Sequence, residues 1–276
     1  YLKVPRPGKQ GYPVVVVGED GDIPLSPDTA GSIMRAAMQA NVSVVFDLFS
    51  KHLSKSDWRK IVKDVSEVLL YENKEYGLRH LFLEEAKEYV PQQVYDKLVF
   101  SAVEKLIRMG GNSQVGITLI NQRAEGINKD VLELCAALFL FKQVGRNSIT
   151  NLEKWLKKTD IDNRDEITRS LFTLPKGNCW FFDEDSRIPT LITIPEKNTV
   201  HPDRRAMTST KIPASQRVVD VTEFVARLNK ALKVQSKQVA LTMETQWEGK
   251  GKRKGRTDKA TYVIDDFVPA ISQERE

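Results

Sequence analysis

Two adjacent carboxylates, Glu84 and Glu85, end the apolar run in Arg79-His-Leu-Phe-Leu-Glu84-Glu85-Ala86. A strand that terminates this way delivers acid groups beyond the carboxyl end of a sheet, where ligands bind in open α/β proteins. The chemistry that suits such a pair is phosphoryl transfer. One carboxylate orders the water shell of Mg2+, and the next polarises an attacking water. The plainer alternative is a strand running into an acidic helix start, where Glu85 and Glu88 favour the helix dipole. A second polar tip bears on that choice. Gly116-Ile-Thr-Leu-Ile-Asn121-Gln122-Arg123 is apolar and then ends in Asn-Gln-Arg. Glutamine is uncharged and both donates and accepts hydrogen bonds, so Gln122 suits the sensing of a terminal phosphate. A strand-ending turn accounts for either tip alone; acid and amide tips on two successive strands favour a site.

The elements that must position these tips can be read from periodicity. Residues 12–17 and 43–48 are β-branched runs bounded by Gly, Pro, Asp or Asn and predict short buried strands. Between them residues 26–39 predict a helix with Pro27 in its first turn. Residues 55–71 predict another, with Trp58, Ile61, Val62, Val65, Val68 and Leu69 on one face. Residues 81–83 and 115–120 are the strands bearing the tips, joined by a helix over 92–108. Residues 131–135 predict a short helix and 136–141 a further strand. This alternation predicts a mainly parallel sheet covered by helices.

After Gln143 the organisation changes. Helices are predicted over 149–157 and 164–173, then a hairpin of 179–182 and 190–194 around a turn at 183–187. Trp180, Phe181 and Phe182 are expected to alternate between core and surface there, which disfavours a base-stacking platform. Residues 198–214 are polar and proline-bearing, an arm. Asp220-Val-Thr-Glu223 predicts a capping box for a helix with an apolar face of Val221, Phe224, Val225, Leu228, Ala231 and Leu232. That helix suits docking on a neighbouring subunit or packing on its own core.

The 276 residues carry a formal net charge of +5, much of it in Lys250-Gly-Lys-Arg-Lys-Gly-Arg256, which suits phosphates without demanding them. The most apolar run, 131–141, is too short for a bilayer span and no signal peptide opens the chain, so the expected location is the cytoplasm. Cys135 and Cys179 stand far apart outside any CxxC, which predicts two reduced, buried thiols. His52, His80 and His201 are isolated, which argues against a metal site built on histidine.

The order of these segments resembles the bacterial HerA-like group of RecA-fold P-loop ATPases. The resemblance runs from about residue 12 to residue 194. It is carried by Gly11-Tyr-Pro-Val-Val-Val-Val-Gly-Glu-Asp-Gly-Asp-Ile-Pro-Leu25, by Leu83-Glu-Glu-Ala-Lys-Glu-Tyr-Val-Pro-Gln92 as a Walker B strand, by residues 116–123 with Gly126-Ile-Asn-Lys-Asp-Val131 as a sensor strand, and by Leu174-Pro-Lys-Gly-Asn-Cys-Trp180. It implies Glu84 as the Mg2+-associated carboxylate, acting through water, and Glu85 as the catalytic one. Gln122 would be the γ-phosphate sensor, with Arg123 beside the nucleotide or the neighbouring subunit. ATP and Mg2+ are the implied cofactors. The implied assembly is a homo-hexamer that threads DNA, possessing no membrane segment and powering a nuclease or defence partner.

The organisation implied is a RecA-like core over 1–143, helices and a closing hairpin over 144–195, an arm and amphipathic helix over 196–247, and a disordered basic tail over 248–276. Three departures stand against the resemblance. No G-x-x-x-x-G-K-[ST] occurs, so nothing here cradles the β- and γ-phosphates; with Tyr1 rather than Met at the start, a preceding segment is expected to carry that loop. Glu84 replaces the commoner Asp. Gly111, in Arg108-Met-Gly-Gly111-Asn112, occupies the place of an arginine that acts across the interface. A DNA translocase is therefore the leading expectation, with a nucleotide-gated scaffold or a pseudo-ATPase interaction module as rivals.

Overall fold

The run of four valines Val14–Val17 forms β1, as stiff β-branched side chains favour. The structure is a computed structural model, which describes residues 2–123, 126–156, 161, 163–183, 186–200 and 219–248. β1 pairs in parallel with β2 (Ser43–Phe46), Val14 opposite Ser43 and Val17 opposite Phe46. Between them runs α1 (Ala30–Ala40), stopped by Asn41 in the left-handed region at φ 50°. The helix predicted from residue 26 starts four residues later. The Thr29 hydroxyl donates to the Ser26 carbonyl and accepts from the Ser26 amide, and this local turn competes with helix.

α2 (Lys55–Glu72) has a complete capping box between Ser54 and Asp57. Ile61, Val62, Val65, Val68 and Leu69 are buried, the face predicted from their spacing. β3 (Arg79–Leu83) pairs in parallel with β4 (Val115–Leu119), and Leu83 opposite Leu119 fixes the register. The connecting α3 (Lys97–Met109) begins later than predicted because the Asp96 carboxylate caps the amides of Leu98 and Val99. After β4 come α4 (Lys129–Leu132), capped by Asn128, and β5 (Ala137–Phe141).

β5 does not join a parallel ladder. It pairs antiparallel with β6 (Asn178–Asp183), which pairs antiparallel with β7 (Ser186–Thr193). Its pattern gives the reason: Leu138 and Leu140 face the core while Phe139 and Phe141 are exposed, as in antiparallel sheets with one wetted side. Between β5 and β6 lie α5 (Arg146–Leu156) and α6 (Arg164–Ser170). Trp180 and Phe182 are buried under them, the Trp180 indole donating to Ser170 Oγ at 2.7 Å. Phe181 lies on the other face against Phe139. The fold is thus mixed α/β: parallel strand pairs flanked by helices, as a RecA-like core requires, with a helical and hairpin appendage.

The chain divides into two compact units, Tyr1–Gln235 and Ser236–Glu276. In the first, the backbone of residues 3–6 pairs with residues 198, 200 and 219. Val200 N donates to Val4 O, Arg6 N to Asn198 O, and Val219 N to Lys3 O. Next along the chain is α7 (Thr222–Glu248). Asp220 accepts from the amide and hydroxyl of Thr222, and the reciprocal Asp220–Glu223 bonds of the predicted box do not form among the described residues. Leu228 is fully buried among α1 and α2 residues, and Arg227 donates to the Ala40 carbonyl. Of the two roles that suit this helix, the face up to Gln235 takes the second and packs on its own core. The basic run 250–256, His201 and most of the predicted arm lie outside the described residues. No described helix is long and apolar enough to cross a membrane.

Candidate functional site

Leu83 and Ala86 are both buried, so the two carboxylates between them must be turned outward within two residues. The chain does this by placing Glu85 in the left-handed region, φ 50° and ψ 45°. Only glycine adopts that conformation cheaply, and non-glycine residues held there concentrate at functional sites. The ladder between β3 and β4 continues past the strand ends, with Ile120 N on Leu83 O at 2.9 Å and Ala86 N on Ile120 O at 3.1 Å. Those bonds bring the acid and amide tips side by side. Gln122 Nε2 donates to Glu85 Oε1 at 2.5 Å.

The residues just after Glu85 hold it there. Tyr89 and Val90 are buried beside Val99, Val103 and Val131. Burial first, then the neighbouring Glu88 carboxylate, pushes the Tyr89 phenol up to about 12. Glu88 turns away from the site to Lys55 at 3.0 Å, tying the start of α2 to this turn. Residues Ala86–Glu88 make a single 3-10 turn and no α-helix starts there, so the acidic-helix-start alternative does not describe the segment.

Lys87 Nζ lies 3.6 Å from Glu85 Oε2. Glu84 is exposed and makes no side-chain hydrogen bond or ion pair among the described residues. Of the four predicted site residues, then, Glu85 and Gln122 touch, while Glu84 stands beside them open to solvent. Arg123 is exposed and, with Gln122, lines one wall of an adjoining cavity of about 410 Å³. Asn121 Nδ2 donates to the Arg123 carbonyl, while its Oδ1 is buried without a partner.

The opposite wall is Lys142, Gly145, Asn147 and Ser148, between β5 and the first turn of α5. Sequence reasoning missed this wall. Its only signal is a polar segment with a glycine at a strand-to-helix junction, and nothing in the sequence places that junction beside Gln122.

No cluster of three His, Cys, Asp or Glu side chains suited to a metal occurs among the described residues. At Glu84 the donor set is a single carboxylate, which fits Mg2+ that keeps its waters and borrows phosphate oxygens from a nucleotide. Gly111 lies in the 3-10 turn Gly110–Ser113 before β4, at the end of that strand away from Gln122. A Cβ built there meets nothing within 4 Å. Cys135 is half-buried and Cys179 buried, both unpaired, and burial raises both thiols.

This arrangement defines an α/β protein with an acid–amide pair at the carboxyl end of a parallel strand pair. Neither a family model nor a curated protein matches the chain. Among solved structures it is similar to the genome packaging NTPase B204 from Sulfolobus turreted icosahedral virus 2 in complex with sulfate, at 13% identity and a TM-score of 0.46, covering 67% of this chain and 82% of that one. For the same NTPase in complex with ATP-gammaS the identity is 14% and the TM-score 0.45, with 66% and 84% covered. For the DNA-packaging ATPase B204 from Sulfolobus Turreted Icosahedral Virus they are 17% and 0.41, with 56% and 67% covered. These values mark a distant likeness of fold, and no role of those proteins passes to this chain through them.

Proposed function

We propose that this chain forms the core of an ATP-driven motor that moves DNA, working as a ring of six copies and powering a nuclease or defence partner. The observation that carries the reading is the Glu85–Gln122 contact at the ends of two parallel strands, with Glu85 held in a strained turn. In the proposed mechanism Glu85 accepts the proton of an attacking water as it reaches the terminal phosphate. Gln122 holds that carboxylate in place and reads the phosphate through its remaining hydrogen-bonding capacity. Glu84 would hold Mg2+ through water, and the ion would supply charge neutralisation on the phosphates. Arg123 would complete the site or reach the neighbouring copy. Turnover needs a phosphate-cradling loop that these 276 residues do not contain, so the reading requires that loop on a further segment of the protein.

A nucleotide-gated scaffold or a pseudo-ATPase interaction module is the second reading, the latter favoured by Gly111. The strand β4 separates Gly111 from the tip at Gln122 by roughly 20 Å, so a side chain there acts only on a neighbour's site, and glycine offers none. The deciding experiment is ATP turnover by the full-length protein with and without DNA, beside Glu85→Gln. DNA-stimulated turnover that falls about a hundredfold or more in the variant, with nucleotide binding retained, supports the motor. Slow turnover indifferent to DNA supports the scaffold, and turnover unchanged in Glu85→Gln removes the role of Glu85.

A further inference from the structure

We propose that Asn121 is a positioning residue, which clasps the turn after β4 so that the Gln122 amide meets Glu85. Its side-chain Nδ2 donates to the Arg123 carbonyl, a bond that spans Gln122. The backbone does not supply that hold. The β3–β4 ladder ends where Ala86 N donates to Ile120 O, and neither Asn121 nor Gln122 makes a backbone–backbone hydrogen bond among the described residues. Gln122 is exposed, and a long side chain on an untied turn spreads over many rotamers. A bond from the side chain of residue 121 to the carbonyl of residue 123 restricts the backbone torsions on both sides of Gln122. The two halves of the pair are thus aimed by different means, Glu85 by its left-handed backbone and Gln122 by its neighbour's amide.

The second observation is a cost. Asn121 Oδ1 is buried and has no hydrogen-bond partner among the described residues. A buried acceptor without a donor has given up its water for nothing, and that penalty matches or exceeds the net worth of one ordinary hydrogen bond. Alanine at this position would lose the clasp and be rid of the orphan oxygen, so for folding alone it would serve at least as well. Asparagine therefore adds little to the stability of this turn. What it adds is the direction of Gln122. A local cost kept beside a site in return for geometry is the usual exchange between stability and activity. The consequence for ATP turnover rests on the motor reading; the hold on Gln122 does not.

The test is made on the full-length protein with Asn121→Ala and Asn121→Asp, each also in a Gln122→Ala background. Asn121→Ala should melt no lower than wild type, while its kcat for ATP falls about tenfold or more with KM little changed. Asn121→Asp keeps the size of the side chain but sets an acceptor against the Arg123 carbonyl, so its kcat should fall at least as far. In the Gln122→Ala background neither substitution should lower turnover further, because Asn121 acts through Gln122. The side-chain amide of Gln122, followed by NMR, gives a readout free of turnover. In Asn121→Ala its resonance should move to the position it takes in Glu85→Ala, where the bond is missing. An unmoved resonance, a lower melting temperature, or an equal loss of turnover in the Gln122→Ala background overturns the proposal. A resonance that moves in a protein without turnover, or in one whose turnover ignores Glu85→Gln, supports the clasp and removes the motor reading.

Discussion

Replacing Glu85 by glycine and by alanine separates the strain of its backbone from the chemistry of its side chain. Both substitutions remove the same carboxylate, its hydrogen bond from Gln122 and its contact with Lys87. They differ only in how they tolerate φ 50°, ψ 45°. A Cβ in that region costs about 1–2 kcal/mol. Glycine gives up about 0.5–1 kcal/mol of additional chain entropy on folding. The balance favours glycine by about 0.5–1 kcal/mol. For a unit spanning Tyr1–Gln235, each kcal/mol moves the melting temperature about 2–4 °C. Glu85→Gly should therefore melt about 1–4 °C above Glu85→Ala, with equal denaturant slopes in urea titration. An alanine variant at least as stable as the glycine variant refutes strain at this turn. Confirmation would mean that stability is given up here to aim a carboxylate, the exchange expected at a working site.

Ser54→Ala removes the oxygen that accepts from Asp57 N at the head of α2 and should cost about 1 kcal/mol, read as a lower urea midpoint. Tyr89 is neutral when protonated and its folded pKa is raised to about 12, so the stability it confers is full below pH 10 and lost as pH rises from 10 towards 12. Against Tyr89→Phe, wild type should therefore lose stability more steeply across that window, and parallel curves would contradict the burial. Gly111→Arg adds a side chain into open space and should change stability by less than about 0.5 kcal/mol. In the assembled full-length protein it should raise ATP turnover, whereas unchanged turnover would remove any action of this position across an interface.

The helices and strands were legible where burial is one-sided or continuous. The β-branched runs gave β1 and β2, and the spacing of Ile61, Val65, Val68 and Leu69 gave α2. Helix starts were not, because the competing bonds are local side-chain ones: Thr29 onto Ser26 delays α1, and Asp96 delays α3. β5 was misplaced because an apolar pentapeptide reads alike in a parallel or an antiparallel ladder, and only the exposure of Phe139 and Phe141 separates them. Glu85 and Gln122 were both legible as strand tips, but their contact depends on the β3–β4 register and on a left-handed turn that no residue type announces. The opposite wall of the cleft was illegible, since its residues reach Gln122 only through tertiary packing.

The backbone bonds that join residues 3–6 to residues 198–200 and 219 set the order in which this unit can be completed. During synthesis residues 3–6 are made long before residues 198–200 and 219 exist. They must wait without those partners while the strands and helices between them are made and begin to pack. Contacts so distant along the chain form late and slow the final step of folding. A chain arrested after β7 would hold the Glu85–Gln122 tip and yet leave residues 3–6 without their backbone partners at 198, 200 and 219. Closure of the unit thus requires that synthesis has passed residue 219.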